Sequence, residues 1–473
     1  MIGAIARREL ALQFRDGRLV LAGATLLIAM AAAALAGWTQ FDRAERERSH
    51  FVAEARSQWL NQGERHPHRA AHFGAYVAKP ELSLALFEPG LRPFAGQTLW
   101  LEAHDRPAFA NIPSEDDLTL GTGLGVASGA AILQILGGLL VLVMGALAIV
   151  RDRESGVLRQ VLAQGIGART WVAGKFLGLA AVIGIPVAAA GLLATAGAAW
   201  AAAPTERADV FLRALALIGA DALLLGALLA AGLAISAVAR SSRAALIGAL
   251  ALWVGGFILA PRAAATLCER FAPAPTLEAY RGAASKVFNE GFDGRGGYAD
   301  QLKALETSTL RRYGVERLAD LPVGFSGLRM KHMDAWSTEV DDREYAKLER
   351  IYARQMAIRA SLSSIAPFIA ARSMSQGMAG MDWAHHRHFL QAAERYRRAF
   401  GLQMNTLLEH GVRGERWEMD GVNQDWAKVA PFEYQPPKIG WALSQQAPFL
   451  AILAAWVLLA AGALALAARR LRP

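Results

Sequence analysis

The chain has 473 residues, of which 54% are hydrophobic and only 19% are charged. Its mean hydropathy of +0.24 excludes an ordinary soluble protein and is typical of an integral membrane protein. The net charge of +9 does not require a nucleic acid, because much of the basic excess flanks apolar runs. We therefore expect contact with membrane lipid and with no nucleic acid. Cys268 is the only cysteine, so an intrachain disulfide is excluded.

Residues 1–18 predict an amphipathic helix on the cytoplasmic face of a membrane. Ile5, Leu12 and Phe14 are expected to rest on the membrane, with the arginines of this segment among the lipid headgroups. The apolar run that follows is longer than the core of a signal peptide. We expect an uncleaved helix that leads into the first span.

Six apolar runs are long enough to cross a bilayer, which takes about 20 residues at a rise of about 1.5 Å. They cover residues 19–38, 124–150, 173–199, 210–238, 244–260 and 448–468. The fifth run is the shortest and is predicted to end at Pro261. Gly174 and Gly178, four residues apart, could permit a close helix contact in the third. The runs predict an all-α polytopic membrane protein with six transmembrane helices.

Lysine and arginine in the short flanks predict the orientation of the spans. They concentrate before the first span, in the charged segment of residues 151–172, before the fifth span and in the tail of residues 469–473. The only short loop on the other side offers Arg207. Both termini are therefore predicted to be cytoplasmic, in a bacterial inner membrane. Residues 39–123 and 262–447 would form two periplasmic domains.

The two predicted outer domains differ in their secondary structure. The smaller one should be α with some β, with a charged helix over residues 41–60 that continues the first span and a short strand near residues 97–101. The larger one should be mainly helical, with helices over residues 278–289, 299–313 and 330–361.

A stripe of methionine and histidine follows Pro367 at helical spacing. Its members are Met374, Met378, Met381, His385 and His388. Thioether and imidazole ligands suit Cu(I), so one interpretation is a soft-metal site. The other is a core seam, because methionine fills irregular apolar gaps. His66, His68 and His72 would either add ligands or lie in a solvated loop.

Two charged residues fall within the fourth span. Asp221 lies near its middle, where a carboxylate needs a partner or a water-filled cavity. Arg213, two turns away, is either a distant partner or a side chain that reaches outward to the interface. Asp221 is a candidate gate or path residue, and the alternative is a structural hydrogen bond between spans.

The charged segment between the second and third spans predicts a short helix from Arg151 to Leu162 with one apolar face. It lies where the chain turns around in the cytoplasm. No G-x-x-x-x-G-K-[ST] phosphate loop occurs, since Gly174-Lys175 lacks the upstream glycine and the following Ser or Thr. The chain is therefore expected to bind no ATP through such a loop, and no zinc-protease or serine-hydrolase motif occurs either.

These features together resemble the membrane subunit of an ABC-2-type ABC transporter. Members have an amphipathic entry helix, six spans and a coupling segment of the form acidic-x-Glu-x-Gly-Thr-x-x-x-x-Leu. Asp152, Glu154, Gly156 and Leu162 match that form, while Val157 replaces the usual Thr. A second set looks like the signature of a permease subgroup with enlarged outer domains, related to the nitrous-oxide-reductase maturation permease: Ser373, Met374, Met378, Ala379, Gly380, Asp382, His385, His386, Arg387, Phe389, Leu390 and residues 393–398.

The resemblance implies a permease subunit of an ATP-driven exporter. It would have no cofactor and no enzymatic activity of its own, and it would pair with a second copy or a similar permease. Separate ABC ATPase subunits would bind ATP and Mg²⁺, and a periplasmic partner is a further expectation. Arg153 and Glu154 would contact the ATPase, while Val157, Leu158 and Leu162 would tie the segment to the third span. The alternatives are copper-related transport or delivery and a non-transporting scaffold or sensor.

Overall fold

The computed structural model describes residues 1–15, 17–104, 106, 128–419 and 425–471. Within these ranges, six helices are long and apolar enough to cross a membrane. This result confirms the predicted all-α polytopic fold. The beginning of the predicted second span (residues 124–127) and the last two residues of the tail lie outside the described residues.

Helices account for most of the described chain, and one short hairpin accounts for its strands. The strands are β1 (Ala75–Ala78) and β2 (Thr98–Leu101). In chain order the helices are α1 (Ile2–Arg15), α2 (Arg18–Leu60), α3 (Pro67–Phe73), α4 (Arg92–Ala95), α5 (residues 129–148), α6 (Val150–Glu154), α7 (Val157–Ala163), α8 (Ala168–Ala201), α9 (Arg207–Val238), α10 (Ser242–Phe271), α11 (Leu277–Glu290), α12 (Tyr298–Tyr313), α13 (Phe325–Ser363), α14 (Pro367–Ala379), α15 (Trp383–Gly411) and α16 (Ile439–Arg469).

Helices α5 and α9 form the centre of the bundle. More than half of the apolar stretch of each is buried, at 61% and 56%, whereas the other four spanning helices bury between 11% and 22%. Two glycines allow the close approach of α5 and α9. A Cβ on Gly145 would lie 2.9 Å from the carbonyl oxygen of Leu229, and a Cβ on Gly232 would lie 2.8 Å from that of Leu142. The backbones therefore touch where neither helix carries a side chain.

Helix α10 does not end at Pro261, where the predicted apolar run ends. The helix continues ten residues further, to Phe271. Proline lacks an N–H group and its ring clashes with the carbonyl four residues earlier, here that of Phe257. Phe257 lies in a π-helical turn, Gly255–Leu259, that ends two residues before the proline. The wider turn displaces the carbonyls from their α-helical positions, and so the helix accommodates Pro261.

The two polar segments pack together into a single body, which we call the head (residues 61–106 and 272–438, as far as they are described). Val77 and Leu101, from the first segment, share a buried cluster with Tyr345 and Phe389 from the second. Trp59, at the end of α2, packs in another cluster with residues of α15. The two segments therefore share buried clusters and form one body, where the sequence predicted two outer domains.

Local structure within the head follows the sequence patterns closely. The expected strand is present: β2 pairs antiparallel with β1, with Ala75 opposite Leu101 and Ala78 opposite Thr98. Helix α2 runs unbroken for 43 residues, about 65 Å at 1.5 Å per residue, and so projects well beyond a bilayer core of about 30 Å. Helices α11, α12 and α13 cover the three predicted helical stretches.

Candidate functional sites

The charged segment is two short helices instead of one. α6 ends at Glu154 and α7 begins at Val157, because Gly156 adopts a left-handed backbone conformation with φ of 79°. That conformation suits glycine, which has no Cβ. Leu158 is buried, and Val157 and Leu162 pack against the same core, as the predicted apolar face requires. The exposed side chains include Arg151, Arg159 and Gln160.

Arg153 and Glu154 make their hydrogen bonds within the chain. The Arg153 guanidinium donates to the carbonyls of Ala237, at 2.6 Å, and Ala239, at the C-terminal end of α9. The exposed Glu154 carboxylate accepts from the backbone N–H of Ser242, at 2.7 Å, and from its hydroxyl, at 2.5 Å. A cation at a helix C-terminus and an anion at a helix N-terminus each offset the helix dipole. Both side chains therefore hold the turn between α9 and α10.

Asp152 belongs to a buried ionic network that the sequence analysis did not find. The ammonium of Lys175 on α8 lies 2.6 Å from Asp152 Oδ2 and 2.9 Å from Glu9 Oε2 on α1, and it donates to the carbonyl of Ala148 at 3.1 Å. Lys175 and Glu9 are almost fully buried. One cation thus joins α1, α5, α6 and α8. The sequence signals were a lysine inside an apolar run, Lys175, and the one acid of α1, Glu9.

The entry helix packs on protein where the sequence predicted membrane contact for Ile5. Ile5 is buried, and a Cβ added to Gly174 would lie 2.5 Å from the Cβ of Ile5. Gly178 opens the next turn in the same way, because its Cβ would lie 2.7 Å from the carbonyl oxygen of Ala6. The glycine pair therefore permits a close contact between α8 and α1. Leu12 and Phe14 are exposed, as expected of membrane-facing residues.

Asp221 and Arg213 are not partners. Asp221 is fully buried and accepts a hydrogen bond of 2.8 Å from the side-chain amide of Gln134 on α5. Gln134 lies in a π-helical turn, Leu133–Gly137, a distortion frequent at functional sites. A structural bond between spans is therefore present, and the gate assignment stays a prediction.

Arg213 joins the spanning helices to the head instead of reaching outward. It is fully buried and pairs with Asp209 at 2.6 Å. It also donates to the carbonyls of Met378 at 3.1 Å and Pro437 at 2.6 Å, and Asp209 accepts from the backbone N–H of Ile439 at 2.8 Å. These bonds fix α9 to α14 and to the start of α16.

The methionine and histidine stripe is divided between two helices, so the single helical stripe is wrong. α14 ends at Ala379, Gly380 adopts φ of 72°, and α15 begins only after the capping residue Asp382. Met374, Met378 and Met381 belong to the buried core. His385 contacts Asp382 at 2.5 Å and His388 contacts the Tyr434 hydroxyl at 3.0 Å. The core-seam interpretation describes the three methionines, and metal binding by the stripe stays a prediction.

The three early histidines have different environments. His66 caps α3 by accepting from the backbone N–H of His68, and its other ring nitrogen lies 2.8 Å from the carbonyl oxygen of Trp417. His68 and His72 instead lie beside His104, and one nitrogen of each ring is within 4.8 Å of one from each of the others. Sequence reasoning missed His104, because a lone histidine 32 residues after His72 shows no spacing signal.

Six apolar helices, with a polar head at one end and a clamped charged segment at the other, define a multi-pass membrane protein. The family model described as ABC-2 family transporter protein matches residues 3–466. The chain therefore belongs to this family and is a membrane permease of an ABC transporter, a non-enzymatic subunit whose family works with ABC ATPases. A search of the curated proteins gave no match to this chain.

Proposed function

We propose that this permease is the membrane subunit of an ATP-driven exporter and that its charged segment receives the motion of a separate ATPase. The observation that carries the proposal is the set of bonds around α6. Asp152 is bonded through Lys175 to α1 and α8, while Arg153 and Glu154 hold the turn between α9 and α10. A push on this segment would therefore move several helices together.

The intrachain bonds change the roles proposed for the polar residues. Arg153 and Glu154 stiffen the segment, and the exposed Arg151, Arg159 and Gln160 supply the contact surface for the ATPase. The basic flanks support a cytoplasmic location for this surface. Val157 and Gly156 also suit a stiff segment, because Val157 packs on the core and Gly156 makes the turn between the two short helices.

Motion of the spans would reach the head through α9 and α16. Arg213 and Asp209 bond the start of α9 to Met378, Pro437 and Ile439, so a shift of α9 carries the head segment with it. We propose that the head lies in the periplasm, carries cargo specificity and meets any periplasmic partner. The second permease would be a copy of this chain or a similar subunit, set against the exposed faces of the outer helices.

The first test is a mild-detergent pull-down of the tagged chain from its native membrane. Recovery of an ABC ATPase is expected, and a second permease recovered with it would identify the pairing. Arg159→Glu should reduce the recovered ATPase and the stimulated ATP hydrolysis by about tenfold, the equivalent of about 1.4 kcal/mol. Arg470→Glu, an exposed arginine at the end of α16, is the matched control and should change neither.

Two further variants separate contact with the motor from stiffening of the turn. Glu154→Ala removes both bonds to Ser242, whereas Ser242→Ala removes only the hydroxyl bond and leaves the carboxylate in place. If Glu154→Ala loses the stimulation of ATP hydrolysis and Ser242→Ala keeps it, direct contact between Glu154 and the ATPase is favoured. Intact stimulation and transport in Glu154→Ala would remove Glu154 from the mechanism, and absence of any ATPase partner would favour the scaffold or sensor alternative.

A further inference from the structure

Three histidines meet on the first segment of the head, at a place that the transport proposal does not use. His68 and His72 lie one turn apart on α3, so both point from the same face of the helix. His104 follows β2 and brings its ring beside them, with centroid distances of 5.2 Å to His68 and 5.1 Å to His72. Three separate ring nitrogens therefore converge within 4.8 Å of one another.

Two of the three rings have an acid behind them. His72 Nδ1 lies 2.7 Å from Glu102 Oε1, and His104 Nδ1 lies 2.7 Å from Asp334 Oδ1 on α13. A carboxylate next to Nδ1 keeps the proton on that nitrogen and leaves the Nε2 lone pair free. Histidine metal ligands nearly always have such a carboxylate or carbonyl partner, which orients the ring and raises its basicity.

Among the described residues, the Nε2 atoms of the three rings have no hydrogen-bond partner outside the cluster. His104 Nε2 is buried and has no hydrogen-bond partner among the described residues. His72 Nε2 and His68 Nε2 face each other at 3.0 Å. Two nitrogens bound to one tetrahedral zinc at about 2.0–2.1 Å are about 3.3 Å apart, so a small ring movement would admit an ion.

Charge and access both suit a metal ion. The His72 side chain is half exposed, which leaves an opening from solvent. The two carboxylates behind the rings, those of Glu102 and Asp334, offset the charge of a divalent cation.

We propose that His68, His72 and His104 form a binding site for a divalent transition metal of the zinc and copper(II) class. Three imidazoles without thiolate or thioether favour Zn²⁺, Cu²⁺ or Ni²⁺ over Cu(I), Ca²⁺ or Mg²⁺. Three protein ligands leave a fourth position for water or for a group from a partner. The metal would join α3 to the end of β2 and, through Asp334, to α13 of the second segment. The site is independent of the ATPase proposal.

The test uses the full chain in detergent with an affinity tag that contains no histidine. After chelator treatment, the wild-type chain should bind one Zn²⁺ per chain in competition with a chromophoric chelator, and zinc should raise its unfolding temperature. Cu²⁺ should compete with Zn²⁺ for this site and bind with the same stoichiometry of one ion per chain. X-ray absorption should report three imidazole nitrogens and one further nitrogen or oxygen ligand, whereas a sulfur shell would overturn the assignment.

Variants show whether these three residues hold the ion. His72→Ala combined with His104→Ala should lose at least a hundredfold in zinc affinity and lose the thermal shift. His50→Ala combined with His410→Ala removes two exposed histidines elsewhere and should change neither. Asp334→Asn keeps all three histidines and should weaken zinc binding by about 10–100-fold. This variant still tests the site if the double histidine variant folds poorly. Equal zinc retention in all variants, or none in the wild type, would overturn the proposal.

Discussion

Lys175 offers the sharpest test of how the permease holds its charged segment. Its ammonium forms ion pairs with Glu9 Oε2 at 2.9 Å and Asp152 Oδ2 at 2.6 Å, and it donates a hydrogen bond to the Ala148 carbonyl at 3.1 Å. Lys175→Met keeps much of the apolar stem but leaves two carboxylates close together without their cation.

The magnitude follows from burial. The side chains of Lys175 and Glu9 are only 5% and 4% exposed, and that of Asp152 is 18% exposed. Removing one partner of a buried ion pair costs about 3–5 kcal/mol, because the remaining charge stays desolvated. Total stabilities are only about 5–15 kcal/mol, so the unfolding temperature should fall clearly. The variant should also lose ATPase stimulation, because α1 and α6 would separate from α8.

A triple variant, Lys175→Met with Glu9→Gln and Asp152→Asn, tests the electrostatic cause. Replacing all charges of a buried network by neutral groups is far less costly than removing one, so most of the lost stability should return. Arg169→Met, an exposed basic residue on α8, is the control and should melt like the wild type. The assay is thermal unfolding in detergent with ATPase stimulation alongside. A melt of Lys175→Met within about 1 kcal/mol of wild type, or a triple variant as unstable as the single, would refute the reasoning.

Three other predictions follow from the packing. Gly232→Ala places a Cβ 2.8 Å from a backbone oxygen of α5 and should cost about 1–3 kcal/mol, whereas Gly226→Ala, on the same helix but in open space, should be neutral; equal melts would contradict the close contact. Arg213→Met should cost about 3–5 kcal/mol and expose the head to limited proteolysis near α14, and an unchanged cleavage rate would show that this arginine does not join head and spans. Burial, with a smaller effect of the Lys79 charge, lowers the pKa of His386 to about 3, so the unfolded chain binds more protons between pH 6.5 and 3. Stability should therefore rise with pH up to about 6.5, by at most about 1.4 kcal/mol per pH unit from this residue. The unfolding temperatures at pH 4.5 and pH 7 should differ less in His386→Gln than in the wild type. An equal difference in both would show that another group causes the pH dependence.

The spanning helices could be predicted because their signal is local. About 20 consecutive apolar residues make a bilayer-crossing helix whatever lies beside them. The hairpin strand, the helices of the head and the apolar face of the charged segment also follow from short-range periodicity. The periodicity does not reveal two local features: the π turn before Pro261, past which α10 continues, and the left-handed Gly156 that divides the charged segment.

The partners of the polar residues were decided only by the tertiary structure. Lys175 meets Glu9 because α1 packs on α8, and it meets Asp152 because the charged segment comes within reach of the same lysine. Arg213 meets carbonyls from residues more than 160 positions away. His104 joins two histidines of α3 only because β2 returns beside β1. Apolar burial is periodic and so is written in each helix, whereas a buried charge needs one specific partner, and which one it finds depends on how the helices pack.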